Sequence, residues 1–336
     1  MYMKAAVLEA LNRPLALREL EIPTLKSGQV LVHVAVSGIC GAQLGEISGS
    51  GGDDKYLPHL MGHEGGGIVT GIGSDVTTVK VGDHVVMHWR KGDGIESALP
   101  VYKDQDGNSV GAGSVTTFNT YAVVSENRVT SILKNVPFEI AALMGCAVTT
   151  GLGIVFNDAK LSKGQSIAVA GCGGVGLNVI QGARIRKADR IVAIDRCKDK
   201  LGMAKDFGAT DIFHGDCCSG FWNGDDVDVF VDCTGDVDVI SLGYSMAKKT
   251  ILVGQPKKEE VLILPNFRQN YCGKILMDSQ GGATNPTIDI PKYLEMYMSG
   301  ELDLDSLITH RFPLDGINLA LDMARSGQSG RCIVEM

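Results

Sequence analysis

Short β-branched runs broken by glycine and proline fill the first part of the chain, from Met1 to about Val124. They include "QVLVHVAVSG" from Gln29, "GGIVTGIG" from Gly66, "VGDHVVMHW" from Val81 and "FNTYAVV" from Phe118. Alternation of this kind predicts half-buried strands in an irregular all-β domain. From Gln165 strand and helix alternate: "SIAVAG", a helix through Arg186, "RIVAID", a helix through Phe207, then "VDVFVDCTG" and "TILVG". That alternation predicts a parallel, doubly wound sheet, so the fold class is α/β. Helices from Pro291 to Met298 and from Leu314 to Ser326 are expected before a last strand, "RCIVEM". The most apolar stretch, Ile140 to Phe156, is too short for a bilayer span and reads as one buried helix between domains.

Composition narrows the function classes. At 336 residues the chain exceeds one typical domain, and two domains sharing a cleft are expected. With 44% hydrophobic and 21% charged residues and a mean hydropathy of +0.10, it can bury a large core. The net charge of −8 disfavours nucleic acid and anionic membranes as partners, leaving small-molecule chemistry. Met1 to Leu15 lacks a basic stretch followed by an apolar run, and nine scattered cysteines suggest reduced thiols; a cytoplasmic location is expected. The segment Arg90 to Ser114, rich in Gly, Asp and Lys, reads as a surface loop or lobe, and the "KKEE" run at Lys257 to Glu260 as a solvated turn.

The first chemical motif is G-x-G-x-x-G at Gly171-Cys172-Gly173-Gly174-Val175-Gly176, directly after one strand and before a helix. The first glycine permits the tight turn, the second lets the backbone approach a pyrophosphate, and the third allows close helix–strand packing. Helix N-terminal N–H groups then bind the phosphate. Asp195 ends the next strand, about 20 residues on, where a carboxylate accepts hydrogen bonds from the adenosine ribose and repels a 2′-phosphate. The expected cofactor is therefore NAD, with Arg196 as the one nearby group that could approach a phosphate instead.

The second constellation is dispersed. Cys40 lies in "SGICGAQ", His63 and Glu64 in "PHLMGHEGGG", and Cys146 in "LMGCAVTTG". Two Cys and one His could supply three zinc ligands, leaving a fourth position for water or substrate. Each also has an ordinary alternative, a buried core cysteine or a hydrogen-bonded His–Glu pair.

These segments, with "TTFNTYAVVSENRV", "IDRCKDKLGMAKDFGAT" and "HRFPLDGINLALDMARSGQSGR", resemble from end to end the zinc-containing alcohol dehydrogenase family of the medium-chain dehydrogenase/reductase superfamily. Within it they resemble the glutathione-dependent formaldehyde dehydrogenase branch. The resemblance implies a GroES-like catalytic domain over residues 1–146, a Rossmann domain over 147–282, and a C-terminal segment, 283–336, returning to the catalytic domain. It also implies Cys40, His63 and Cys146 as ligands of a catalytic zinc, with Glu64 as the carboxylate able to approach the metal. Thr150 and Val175 match positions beside the nicotinamide, Lys200 an adenosine-ribose contact and Arg331 a pyrophosphate contact. Trp89 falls where the family places an aromatic wall of the substrate pocket.

The chain also departs from the family. No Cys or His lies between Arg90 and Ser114, where members commonly carry four cysteines for a structural zinc, so one zinc per chain is expected. The usual hydroxyl residue and aspartate after the first ligand are replaced, giving Cys40-Gly41-Ala42-Gln43. Ala42 cannot relay a proton, and the place of the family's relay histidine falls near Gly45. Glu46 and His88 are the nearby titratable groups that could take over, Glu46 being favoured because it shares the ligand's loop. The amide oxygen of Gln43 is expected to accept the ring N–H of His63 in the aspartate's stead.

The expected function is hydride transfer between an alcohol or carbonyl substrate and NAD, with zinc polarising the substrate oxygen. Small Gly41, Ala42 and Gly45, with His88, Arg90 and Glu46 at the entrance, suggest a polyol or sugar derivative. Two alternatives stand beside it: a zinc-free NAD(P)H-dependent reductase of the same superfamily, and a non-catalytic NAD-binding regulatory protein. "TILVG" resembles the edge strand through which family members extend a sheet across a dimer, so a homodimer or homotetramer is expected.

Overall fold

The alternating run "QVLVHVAVSG" becomes the strand Gln29–Gly38, with Val30, Val32 and Val34 wholly buried on one face. Removing each such side chain from water is worth about 1.5–3 kcal/mol, which fixes the register of the strand in its sheet. A computed structural model describes residues 1–215, 226–264, 268 and 273–336. It comprises two units: Met1–Cys146 with Asn285–Gly300 and Leu304–Met336, and Ala147–Thr284 with Glu301–Asp303.

The first unit holds two sheets. In the 7-stranded sheet the order is Val129–Ile132, His84–His88, Glu64–Ile72, Gln29–Gly38, Arg331–Glu335 and Ile308–Pro313, with Tyr121–Ser125 also paired to Gln29–Gly38. The 5-stranded sheet runs His59–Leu60, Tyr2–Leu8, Ala16–Glu21, Tyr102–Lys103 and Ser109–Val110. Residues 90–114 therefore form more than the expected surface loop. They contribute two short strands to this sheet, and Tyr102 is fully buried with its hydroxyl accepting from the Val123 N–H at 2.9 Å. One aromatic residue within a polar stretch leaves no period to read.

Among the described residues, the second unit holds a six-stranded, wholly parallel sheet: Asp211–His214, Arg190–Asp195, Ser166–Ala170, Val227–Asp232, Ala247–Leu252 and Ile275–Asp278. Numbered along the chain this is the order 3-2-1-4-5-6 of a Rossmann sheet. The central strand Ser166–Ala170 is almost continuously buried, whereas the edge Asp211–His214 alternates half-buried and exposed, as position in a covered parallel sheet requires.

Three expectations about elements are corrected. The strand containing most of "TILVG", Ala247–Leu252, is not at the edge, because Ile275–Asp278 pairs along its outer side. That four-residue edge strand is too short for its sequence to announce it. The Ile140–Phe156 stretch is not one helix: Phe138–Met144 ends at Gly145–Cys146 and Ala147–Gly153 begins anew, closing in a wider turn over Ile154–Asp158. A Cβ on Gly145 would overlap the Met87 carbonyl oxygen and lie 2.8 Å from Glu64 Cα, so the break falls where the backbone must pass close to another strand. The helix expected from Pro291 starts earlier, at Pro286, where Asn285 accepts from the Thr287 N–H at 3.2 Å and proline suits the first turn. The helix carries Pro291 in its interior despite the missing N–H. No single helix among the described residues is long and apolar enough to cross a membrane.

Candidate metal centre and dinucleotide loop

Strand pairing in the first unit assembles the cysteine–histidine cluster. The C-terminal end of Gln29–Gly38 lies against the start of Glu64–Ile72 (Ser37 opposite Gly65) and against Arg331–Glu335 (Gly38 opposite Ile333). Cys40, just beyond the first strand, His63 and Glu64 at the start of the second, and Arg331 at the start of the third therefore meet at one end of the sheet. Cys146 joins them from the break after Gly145. The Cys40, His63 and Cys146 ligand atoms all lie within 4.8 Å of one another.

The electrostatics of this cluster are internally compensated. A hydrogen bond from the Cys146 thiol, aided by His63 and Arg331, holds the Cys40 thiol well below the ordinary thiol range. The same bond, with burial, pushes Cys146 well up. Burial alone would lower His63, but the Cys40 sulfur and Glu64 outweigh it and raise the ring. Glu64, wholly buried, is raised by desolvation against the pull of Arg331, with which it forms a buried ion pair. Beneath it, Ser37 Oγ donates to the Glu64 carbonyl at 3.0 Å and lies 2.7 Å from Thr117 Oγ1, fixing the strand on which Glu64 stands.

His63 Nε2 is buried without a hydrogen-bond partner. Its other nitrogen, Nδ1, is met by Gln43 from the helix Gly41–Ser48. The expected polarity is reversed: the Gln43 amide nitrogen faces the ring, because its oxygen accepts from the Cys40 N–H at 2.8 Å and so closes the first turn of that helix. A nitrogen and two sulfurs in a tight, half-buried cluster, with the nitrogen left unsatisfied, form a donor set that fits zinc at three tetrahedral positions and leaves the fourth open.

The flanking candidates separate clearly. Ala42 lies on the same helix and offers no proton. Glu46, four residues further on, is exposed, and partial desolvation raises its carboxyl against the opposing pull of His59 and His63. His59 Nδ1 lies 3.0 Å from the Leu60 carbonyl and Nε2 2.7 Å from Asp54 Oδ2; burial would lower the ring, but these acceptors and Glu46 outweigh it and favour its charged form. His88 is excluded as a proton carrier or entrance residue: it is buried, Nδ1–H donates to the Arg90 carbonyl at 2.7 Å, Nε2 accepts from Thr130 at 2.9 Å, and burial pushes its pKa down to about 4. Trp89 is half-buried, with the Arg90 guanidinium 5.8 Å from its ring centroid.

The loop after Trp89 is anchored by residues that the sequence reading missed. Arg128 donates to the Trp89 carbonyl and pairs with Glu96 at 3.1 Å, while Lys91 and Asn127 reach Glu96 at 3.0 Å. Slight burial would raise Glu96, but these donors hold its carboxyl down to about 2. Glu126 accepts from the Ile95 N–H at 2.8 Å and from the Thr77 and Thr78 N–H groups at 2.6 and 2.7 Å. Within "SENRV" these charged residues look like surface positions, yet Glu126 and Arg128 are buried.

In the second unit the glycine loop leads into the helix Gly174–Ile185, whose N-cap, Gly173, supplies no side-chain cap. A Cβ on Gly173 would meet nothing within 4 Å, so the backbone is open to an incoming group there. A Cβ on Gly176 would overlap the Gly171 carbonyl oxygen, which is the close packing its position in the motif predicts. Gly171, with φ +88°, makes the turn. The loop is a cradle with free helix N–H groups, the form that binds a dinucleotide pyrophosphate. Asp195 accepts from the Cys172 N–H at 2.7 Å and the Cys197 N–H at 2.8 Å, which leaves each carboxylate oxygen a further lone pair. Lys200 lies near enough to temper the rise of Cys172, which burial and Asp195 push up to about 12. Thr150 is buried on Ala147–Gly153, next to Gly151, which packs against the Val175 carbonyl. Arg331, expected on the pyrophosphate, belongs to the first unit and is held by Glu64.

Comparison with known proteins bears on both regions. Residues 26–134 match the alcohol dehydrogenase GroES-like domain and residues 174–297 the zinc-binding dehydrogenase domain. The chain is 31% identical to an S-(hydroxymethyl)glutathione dehydrogenase of Haemophilus influenzae, covering 98% of this chain and 96% of that protein. It is 30% identical to the enzyme of the same name from Paracoccus denitrificans, over 99% and 100% of the two chains. Among solved structures, a benzyl alcohol dehydrogenase from Acinetobacter calcoaceticus superposes with a TM-score of 0.90 at 26% identity, covering 100% of this chain and 99% of that one.

Proposed function

Because the chain belongs to the zinc-containing alcohol dehydrogenase family of the medium-chain dehydrogenases, we propose that it oxidises a polar alcohol, a polyol or sugar derivative, with NAD, using one zinc ion per chain. The observation that carries the zinc assignment is the buried, unpartnered His63 Nε2 clustered with the sulfurs of Cys40 and Cys146. When bound, zinc supplies Lewis-acid polarisation of the substrate oxygen and the nicotinamide supplies the hydride acceptor. Cys40, His63 and Cys146 hold the metal, and Glu64, tied to Arg331, stands as the adjacent carboxylate. Gly171, Gly173, Gly174, Val175 and Gly176 cradle the pyrophosphate, Asp195 takes the ribose hydroxyls with Lys200 beside it, and Thr150 and Val175 flank the nicotinamide.

The proton leaves by a path that Ala42 cannot supply. Glu46, on the same helix, accepts it as the carboxylate and releases it to solvent from the carboxylic acid, and positive charge on His59 favours the carboxylate so restored. The same charged flank of Glu46, His59 and Asp54 supports a polar rather than an aliphatic substrate. Discrimination against NADP rests on Asp195, whose charge opposes a 2′-phosphate.

The test follows nicotinamide absorbance across a panel of simple alcohols, polyols and sugar derivatives with NAD and with NADP, for wild type and Cys40→Ser. Turnover should favour polyols or sugar derivatives with NAD and fall by about 10³-fold or more in Cys40→Ser, which loses a thiolate ligand. Full activity in a metal-free Cys40→Ser protein would sink the zinc reading. Faster turnover of simple primary alcohols would sink the substrate class alone.

A further inference from the structure

Gln43 faces two demands with one acceptor atom. The Cys40 N–H, at the start of the Gly41–Ser48 helix, takes the amide oxygen at 2.8 Å, and His63 Nδ1 lies against the amide nitrogen. An amide NH2 group only donates, so in this arrangement Nδ1 must accept, and the single proton of the neutral ring sits on Nε2. A ring that gives its Nε2 lone pair to a metal needs the opposite: the proton moves to Nδ1 and must be donated to an acceptor. Turning the amide over would satisfy the ring and leave an NH2 group facing the Cys40 N–H. With Nε2 given to a metal and the proton on Nδ1, either orientation leaves two donors face to face.

We propose that Gln43 is a positioning residue that weakens the zinc affinity of this centre and makes its occupancy depend on whether the amide oxygen serves Cys40 or His63. A carboxylate at the same position accepts from both donors at once and removes the conflict. Metal uptake by the wild-type protein thus exchanges one satisfied hydrogen bond for an unsatisfied donor pair; the ring proton only changes nitrogen. This rests on the zinc reading above.

The experiment is competition for Zn²⁺ between the full-length protein and a chromophoric chelator, with wild type and Gln43→Glu side by side. Histidine ¹⁵N spectra of both zinc-free proteins accompany it, with the His63 signals identified by their absence from His63→Asn. Gln43→Glu should bind zinc about 10- to 100-fold more tightly. Its zinc-free ring should carry the proton on Nδ1, whereas the wild-type ring carries it on Nε2. Equal or weaker affinity in Gln43→Glu, with one zinc per chain in both proteins, overturns this inference and leaves the zinc assignment intact. Absence of zinc binding by either protein overturns both. Should Gln43→Glu not fold, the wild-type spectrum decides: a proton on Nδ1 in the zinc-free protein contradicts the proposal.

Discussion

The cysteine–histidine cluster and the glycine loop solve the problem of holding a ligand in opposite ways. The loop uses backbone: an open Gly173, a close-packed Gly176 and the N–H groups of one helix, all within a few consecutive residues. The cluster uses side chains from four separate segments, and each is held by another: Gln43 on His63, Arg331 on Glu64, and Cys146 on Cys40. A backbone site is damaged chiefly by adding atoms. A side-chain site is damaged chiefly by removing one member of a compensated pair.

The contrast can be broken most sharply at Arg331. Replacing it with Met leaves the Glu64 carboxylate buried without its cation, and breaking such a pair costs about 3–5 kcal/mol. Urea denaturation should show that loss in Arg331→Met and recovery of most of it in Arg331→Met with Glu64→Gln. An unchanged midpoint would mean that the pair contributes nothing to the first unit.

Acidification tests the neighbouring His88. Its folded-state pKa, near 4, lies below the ordinary value of 6.5, so the unfolded chain binds the extra proton first. Its contribution to stability is fully present above pH 6.5 and is lost as the pH falls toward 4, by about 3 kcal/mol in all. His88→Gln, which cannot titrate, should flatten that part of the stability profile. A wild-type curve equally flat over the same interval would contradict the buried neutral imidazole.

The smallest effect is expected at the loop, where a single methyl tests the backbone site. Gly176→Ala should raise the KM for NAD by roughly 10²-fold through displacement of the loop, with zinc content unaltered. Loss of zinc together with cofactor affinity would erase the distinction between the two regions.

The same distinction explains what was legible in the sequence. Gly171, Gly176 and Asp195 were readable because a strand, a turn and a helix leave a local pattern, and the 3-2-1-4-5-6 sheet followed from strand–helix alternation. Cys40, His63 and Cys146 were nameable only through family resemblance, since strand pairing brings them together over a separation of about a hundred residues. The orientation of the Gln43 amide was invisible, because it depends on the Cys40 N–H at a helix start. His88 looked available from its place in the sequence, and only the Arg90 carbonyl and Thr130 hydroxyl reveal it as structural. The anchoring of the 90–98 loop by Glu126 and Arg128 was hidden for the same reason: burial of a charged side chain leaves no period along the chain.

The central claim is that Cys40, His63 and Cys146 form a zinc centre, and metal content tests it most directly. Elemental analysis of freshly purified full-length protein, against protein concentration from amino-acid analysis, should give one zinc per chain, and close to none in Cys40→Ser. Dehydrogenase activity in wild-type protein that contains no zinc would contradict the account.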